Sequence, residues 1–238
     1  MPPATLPPTL MPPAHSFKLI VFDFDGTLVD SQAGIVRCMA AAFVALGLPA
    51  PEAAAVRRVV GLSLELAIAR LLPDEAQDAV VEAAAAYRGA FLTWRADPAF
   101  HEPLFEGVSE TLARLDAPEV LLGIATGKNL RGLSAALERH GLAGRFATLQ
   151  TPDHSPSKPH PGMLRRAMDE VGCNPCETVL IGDTTFDIEM AQNAGTLSLG
   201  VSWGYHAPEE LLAAGASAVL GSMAELPDNL TSLAGGQR

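Results

Sequence analysis

The chain has few cysteines, few basic residues and no long apolar run. Three cysteines among 238 residues are an odd number in a long chain, which does not indicate a disulfide framework. No apolar stretch reaches the roughly 18 residues that a transmembrane helix needs. The N-terminal residues lack the cationic and apolar segments of a secretory signal. We therefore expect a cytoplasmic protein without a membrane partner.

Basic residues are outnumbered by acidic ones, with 16 Lys and Arg against 27 Asp and Glu and a net charge of -11. Surfaces that bind nucleic acid or anionic membranes are basic, so this charge argues against both partners. An anionic substrate would need a local positive site. The oligomeric state is not predicted.

The chain is organised around Asp23 and Asp25, which follow the apolar run Leu19-Ile20-Val21. Such a run predicts a buried strand, and its C-terminal end is where open α/β sheets bind ligands. Residues two apart in a strand point to the same side, so the two carboxylates can converge if the chain turns at Gly26. Because close carboxylates repel each other, we expect a divalent metal here.

The sequence divides into a core, an insertion and two tails. Residues 1–16 carry six prolines and predict a disordered tail. Residues 31–98 predict four amphipathic helices, inserted after the first strand. Residues 17–30 and 99–226 alternate strands and helices, which predicts right-handed βαβ units and a doubly wound parallel sheet. Residues 227–238 predict a loose C-terminal tail.

Three later strands also end in polar residues. Thr126 and Gly127 offer a hydroxyl and backbone amides that suit a phosphate. Lys158 lies next to prolines, which hold a positive charge at low ordering cost. Asp183 and Asp187 face one site if a helix begins between them. Each group alone has a simpler interpretation, since Thr126 and Asp187 can cap helices and Lys158 can be an ordinary surface residue.

Together these motifs resemble the haloacid dehalogenase superfamily, from about Phe17 to Leu226. The inserted helices resemble the family's four-helix cap. The motif sequences are most similar to those of phosphoglycolate-phosphatase-like members. The four motifs are Asp-Phe-Asp-Gly-Thr-Leu, Ala-Thr-Gly-Lys, Ser-Lys-Pro-His-Pro-Gly and Ile-Gly-Asp-Thr-Thr-Phe-Asp.

The resemblance implies a role for each acid. Asp23 would be the nucleophile that becomes an aspartyl phosphate, and Asp25 would be the general acid and base. Mg²⁺ would be bound by the Asp23 carboxylate, the main-chain carbonyl of Asp25 and Asp183. Asp187 would contact the metal indirectly or through water.

The same resemblance implies that Thr126, the Gly127 amide and Lys158 hold phosphate oxygens. It predicts a Mg²⁺-dependent phosphatase acting on a small phosphorylated metabolite. Phosphoglycolate is the first candidate, followed by other small phosphate monoesters and pyrophosphate. Arg57, Arg58 and Ser63 are weaker candidates for substrate contact.

Other reactions on the same core are less consistent with the residues. A dehalogenase needs neither Asp25 nor a metal, and a phosphonate hydrolase needs a cap Lys, which is missing between Lys18 and Lys128. A sugar-phosphate mutase remains an alternative, although Gly61 is not followed by the basic residues of such a cap loop. A receiver-like phosphoacceptor module is a different class, but it is about half this length and has no cap.

Overall fold

The computed structural model describes residues 17–236, apart from the side chains of residues 75–77 and 236. The predicted disorder of residues 1–16 lies outside this range. Among the described residues, no helix is long and apolar enough to span a membrane.

The core is a six-stranded, entirely parallel sheet in the order β3-β2-β1-β4-β5-β6. The strands are β1 (Leu19–Phe22), β2 (Leu121–Ala125), β3 (Thr148–Gln150), β4 (Thr178–Gly182), β5 (Leu197–Val201) and β6 (Val219–Leu220). The predicted α/β doubly wound fold is confirmed.

In residues 17–236, ten α-helices connect or flank the strands. They are α1 (Gln32–Ala45), α2 (Ala53–Val59), α3 (Leu64–Leu71), α4 (Val80–Ala96), α5 (Val108–Arg114), α6 (Leu130–Arg139), α7 (Gly162–Val171), α8 (Thr185–Ala194), α9 (Pro208–Ala213) and α10 (Leu226–Gly236). Short 3₁₀ segments cover Asp74–Ala79, Pro175–Glu177 and Met223–Glu225.

The central strand β1 is buried on both faces, as its unbroken apolar run predicts. Ile20 and Phe22 pack into the cluster on one face, whereas Leu19 and Val21 pack into the cluster on the other. From β1, the chain first adds β2 and β3 on one side of the sheet and then adds β4, β5 and β6 on the other side. This reversal opens a crevice at the carboxyl ends of β1, β2 and β4.

The inserted helices α1 to α4 pack around a cluster of their own, which includes Ile35, Met39, Phe43 and Ile68. The sequence predicts one helix from Asp74 to Arg95, but the structure divides it into a 3₁₀ segment and α4. The division falls at Val80, which packs against the cap cluster. The boundaries of the cap at residues 31–98 remain a prediction.

The prediction of a loose tail after Leu226 is wrong, because residues 226–236 form α10. Leu226, Leu230 and Ala234 recur every four residues and are buried in the core cluster beside the sheet. This packing explains why a segment with Pro, Gly and Asn is helical.

Candidate active site

The site begins where β1 ends. The Asp23 amide still donates to the Ile181 carbonyl at 2.9 Å, so Asp23 continues the sheet by one residue. The chain then turns at Gly26, whose φ is 88°. A Cβ on Gly26 would lie 2.3 Å from Asp183 Oδ2, so the turn needs glycine both for its conformation and for space.

Three buried carboxylates meet at this turn. One oxygen from each of Asp23, Asp183 and Asp187 lies within 4.8 Å of the others. The Lys158 ammonium is fully buried beside them, 2.9 Å from Asp23 Oδ2 and 2.6 Å from Asp187 Oδ1. Three carboxylates against one ammonium leave an excess of negative charge in a place without solvent.

The pKa values reflect this crowding. Burial, helped by the Asp187 charge and opposed by Lys158, raises the pKa of Asp23 to about 7. Burial, Asp23 and Asp187 hold the pKa of Asp183 well above its ordinary value. Burial alone would lower the pKa of Lys158, but Asp187 and Asp23 together raise it, so the ammonium stays charged. A bound cation would favour the ionised form of these acids.

The donor set fits a divalent metal ion. Asp23 Oδ2 is buried and has no hydrogen-bond partner among the described residues, despite the nearby ammonium. Asp183 is held in place by Thr27 Oγ1 at 2.7 Å and by the Tyr205 amide at 3.0 Å. Carboxylate oxygens are the ligands that Mg²⁺ and Ca²⁺ prefer. Asp23, Asp183 and Asp187 could therefore hold a metal.

Asp187 has a second structural task. Its Oδ2 accepts hydrogen bonds from the Thr184 amide at 3.1 Å and the Thr184 hydroxyl at 2.7 Å, which caps α8. Its Oδ1 accepts from Lys158 at 2.6 Å. Asp187 thus fixes Lys158 against the start of α8. The prediction that Asp187 can cap this helix is confirmed.

The side chain of Asp25 points to a different partner. Its two oxygens accept hydrogen bonds from Lys128 Nζ at 2.9 and 2.8 Å. The sequence motif around Thr126 contains Lys128, but the motif alone does not predict a role for its side chain. The parallel pairing of β1 with β2 places the loop that carries Lys128 beside Asp25. Any metal contact through the Asp25 carbonyl remains a prediction.

The cap covers the loop after β2. A Cβ on Gly127 would lie 2.3 Å from the Leu62 carbonyl oxygen and 2.8 Å from that of Gly61. The Ser63 amide donates to Ser157 Oγ at 2.8 Å, one residue before Lys158. Of the weaker candidates, Ser63 therefore contacts the core, and Arg58 pairs with Glu210 of α9 at 2.7 Å.

A cavity of about 280 Å³ lies between this floor and the cap. The predicted residues Asp23, Asp25, Thr126 and Gly127 line it, together with Lys128. Lys158, Asp183 and Asp187 are fully buried and support Asp23 from within the core. The arrangement offers a carboxylate nucleophile, a second carboxylate and a metal-binding set at one end of an enclosed space.

Known proteins share this architecture. An N-acetylmuramic acid 6-phosphate phosphatase of Pseudomonas putida is 33% identical over 81% of this chain and 86% of its own length. A phosphoglycolate phosphatase of Vibrio parahaemolyticus is 32% identical over 89% of this chain and 95% of its own. A solved haloacid dehalogenase-like hydrolase from Streptococcus pneumoniae superposes with a TM-score of 0.77 at 28% identity, covering 90% of this chain and 98% of that one.

The family model described as haloacid dehalogenase-like hydrolase matches residues 20–201, a range that runs from β1 to β5 and contains the predicted site residues from Asp23 to Asp187. The chain belongs to the haloacid dehalogenase-like hydrolase family.

Proposed function

We propose that this protein is a Mg²⁺-dependent phosphatase that hydrolyses a small phosphate monoester. The observation that carries the proposal is the Asp23 carboxylate, which lines the cavity and keeps one buried oxygen without a hydrogen bond. The names of the two relatives, both phosphatases, support the reaction class. These names differ in the alcohol that is released, so they leave the substrate open.

Hydrolysis takes two displacements at phosphorus. An Asp23 oxygen forms a bond to phosphorus while the bond to the ester oxygen breaks. Asp25, released from Lys128 and protonated from solvent once substrate is bound, gives its proton to the leaving alkoxide. Asp25, now ionised, takes a proton from water as the water oxygen bonds to phosphorus and the bond to Asp23 breaks. Alcohol and inorganic phosphate are released, and Asp25 regains its proton.

The neighbouring residues stabilise charge during both steps. Thr126 and the Gly127 amide, which line the cavity, would bind phosphate oxygens, and the buried Lys158 would hold Asp23. Mg²⁺ bound by Asp23 and Asp183 would offset the repulsion between the acids and an incoming dianion. Lys128 holds Asp25 before substrate arrives and adds positive charge to the cavity.

The test is phosphate release from a panel of phosphorylated metabolites, with Mg²⁺ and with EDTA. We expect turnover only with metal, and none from Asp23→Asn. Asp116→Asn is the matched control, because this exposed carboxylate lies outside the site. Turnover by Asp23→Asn, or activity in EDTA, would refute the mechanism, and a long-lived phosphoprotein would favour a phosphoacceptor module.

Asp25→Asn tests the second carboxylate. An amide can neither protonate the alkoxide nor take a proton from water, so we expect kcat to fall by about 10²- to 10⁴-fold. Mg²⁺ affinity should change little, because the Asp25 side chain lies outside the three-carboxylate cluster. Full turnover by this variant would mean that another group transfers the proton.

A further inference from the structure

The cavity continues from the catalytic residues into the cap, where its walls are apolar. Ile35 and Met39 of α1, Val56 of α2, Val60 after it and Phe91 of α4 face this space. The two carbons of a glycolate cannot cover such walls. Burial of apolar surface by a ligand contributes about 25 cal/mol of binding free energy for each Å², and a ligand that leaves the wall exposed to water does not gain it. The cap therefore favours a ligand with an apolar body.

The remaining lining is strongly basic. Arg88 and Arg95 of α4, Lys128 of the loop after β2 and Arg131 of α6 all line the cavity. These are four of the 16 basic residues of a chain with a net charge of -11. The acids that line the same cavity are Asp23 and Asp25, at its catalytic end.

Two of these cations form no hydrogen bond and no ion pair within the part of the chain that the structure describes, although burial raises the pKa of Glu102 and the Arg95 charge opposes that rise. Arg88 pairs with Glu65, and Lys128 pairs with Asp25. Within the described residues, neither Arg95 nor Arg131 forms a hydrogen bond or an ion pair. Both are solvent-exposed, whereas Asp23 is buried. Guanidinium groups at the rim of an apolar cavity suit a carboxylate or a second phosphate.

We propose that the substrate is a phosphate monoester whose alcohol has an apolar body and carries a second anionic group. This rests on the proposed phosphatase function and specifies its substrate class. The phosphate is held by the catalytic end, the body lies against the cap helices, and Arg95 and Arg131 bind the second anion.

Three esters separate these features, because all release a primary alcohol. Phosphoglycolate has the second anion without the apolar body, benzyl phosphate has the body without the anion, and 4-carboxybenzyl phosphate has both. We expect kcat/KM for 4-carboxybenzyl phosphate to exceed that of either other ester by about tenfold or more. A preference for phosphoglycolate would overturn the inference.

Substitution of the two arginines tests whether they cause the preference for 4-carboxybenzyl phosphate. Arg95→Ala combined with Arg131→Ala should lower kcat/KM about tenfold for 4-carboxybenzyl phosphate, through KM, and leave benzyl phosphate nearly unchanged. Arg114→Ala is the control for Arg95, since both are exposed arginines in the last turn of a helix. An equal loss for both benzyl esters would mean that the arginines only attract anions, which overturns their role in recognition.

The apolar wall has its own matched pair on α4. Leu92 lines the cavity and is 56% exposed, whereas Val81 is 75% exposed and does not line it. Leu92→Gln should lower kcat/KM for benzyl phosphate about threefold and leave phosphoglycolate unchanged. Val81→Gln should change neither. Equal effects of the two substitutions would contradict contact between Leu92 and the substrate.

Binding separates this inference from the proposed reaction. Calorimetry with the non-hydrolysable analogues phosphonoacetate, benzylphosphonate and 4-carboxybenzylphosphonate should give the same order of affinity in the presence of Mg²⁺. If this order holds and no ester is hydrolysed, the proposed function fails, and the inference stands only as the class of ligand that the cavity binds. If esters are hydrolysed and the phosphonates bind equally, the inference fails and the proposed function stands.

Discussion

Asp23→Asn should abolish turnover and yet make the metal-free protein more stable at pH 8. The pKa of Asp23 rises from its ordinary value of 3.8 to about 7 on folding. Between these values the folded protein keeps a proton that the unfolded chain has released, so stability falls as pH rises through this range. Above pH 7 the cost reaches about 4 kcal/mol, at 1.36 kcal/mol for each unit of pKa.

Asparagine cannot ionise, so it avoids this cost. The attraction of Lys158, which is 2.9 Å from Asp23 Oδ2, already contributes to the pKa of about 7 that sets the cost. The variant should therefore be about 4 kcal/mol more stable than the wild type at pH 8. Below about pH 4 the proton is bound in both states, so the variant and the wild type should have similar stability.

The assay is urea unfolding of both proteins in chelator, at pH values from 4 to 8. Asp25→Asn is the control, since it removes both contacts with Lys128 and should lower stability at pH 8. Added Mg²⁺ should stabilise the wild type more than Asp23→Asn. A stability difference that does not depend on pH, or a variant less stable than the wild type at pH 8, would refute the reasoning.

Three further expectations concern the surroundings of the site. Gly127→Ala should raise KM or lower kcat at least tenfold, because its Cβ would lie 2.3 Å from a cap carbonyl oxygen. Gly89→Ala would place its Cβ with nothing within 4 Å, so it should instead stabilise α4 by about 1 kcal/mol. Lys128→Met should reduce kcat about tenfold by releasing Asp25, and Lys128→Arg should restore part of it, as phosphate-release assays would show. EDTA should lower the unfolding midpoint of Mg²⁺-loaded protein in a thermal scan, and excess Mg²⁺ should restore it.

The sequence predicts the sheet well because each strand is indicated by residues that are neighbours in the sequence. The apolar runs at β1 and β4 and the polar residues directly after them indicate buried strands that carry the site at one edge. The sheet edge places Asp23, Thr126 and Asp183 near one another without any knowledge of the cap.

Features that depend on tertiary packing are harder to predict. The residues of α10 have weak helix propensity, and only burial of Leu226 and Leu230 against the core makes the segment helical. The pairing of Lys128 with Asp25 depends on which strands are neighbours. In the motif alone, Lys128 is an ordinary residue after a helix-capping turn.

The contact between Gly127 and the cap loop has a consequence for how the protein can change over evolution. The cap meets the catalytic loop through the carbonyl oxygens of Gly61 and Leu62, so this contact is made by main-chain atoms. Substitutions in the cap helices can then alter the cavity walls without altering that contact. Mutations in the cap helices can therefore make new substrates accessible while the contact between the cap and the catalytic loop is retained.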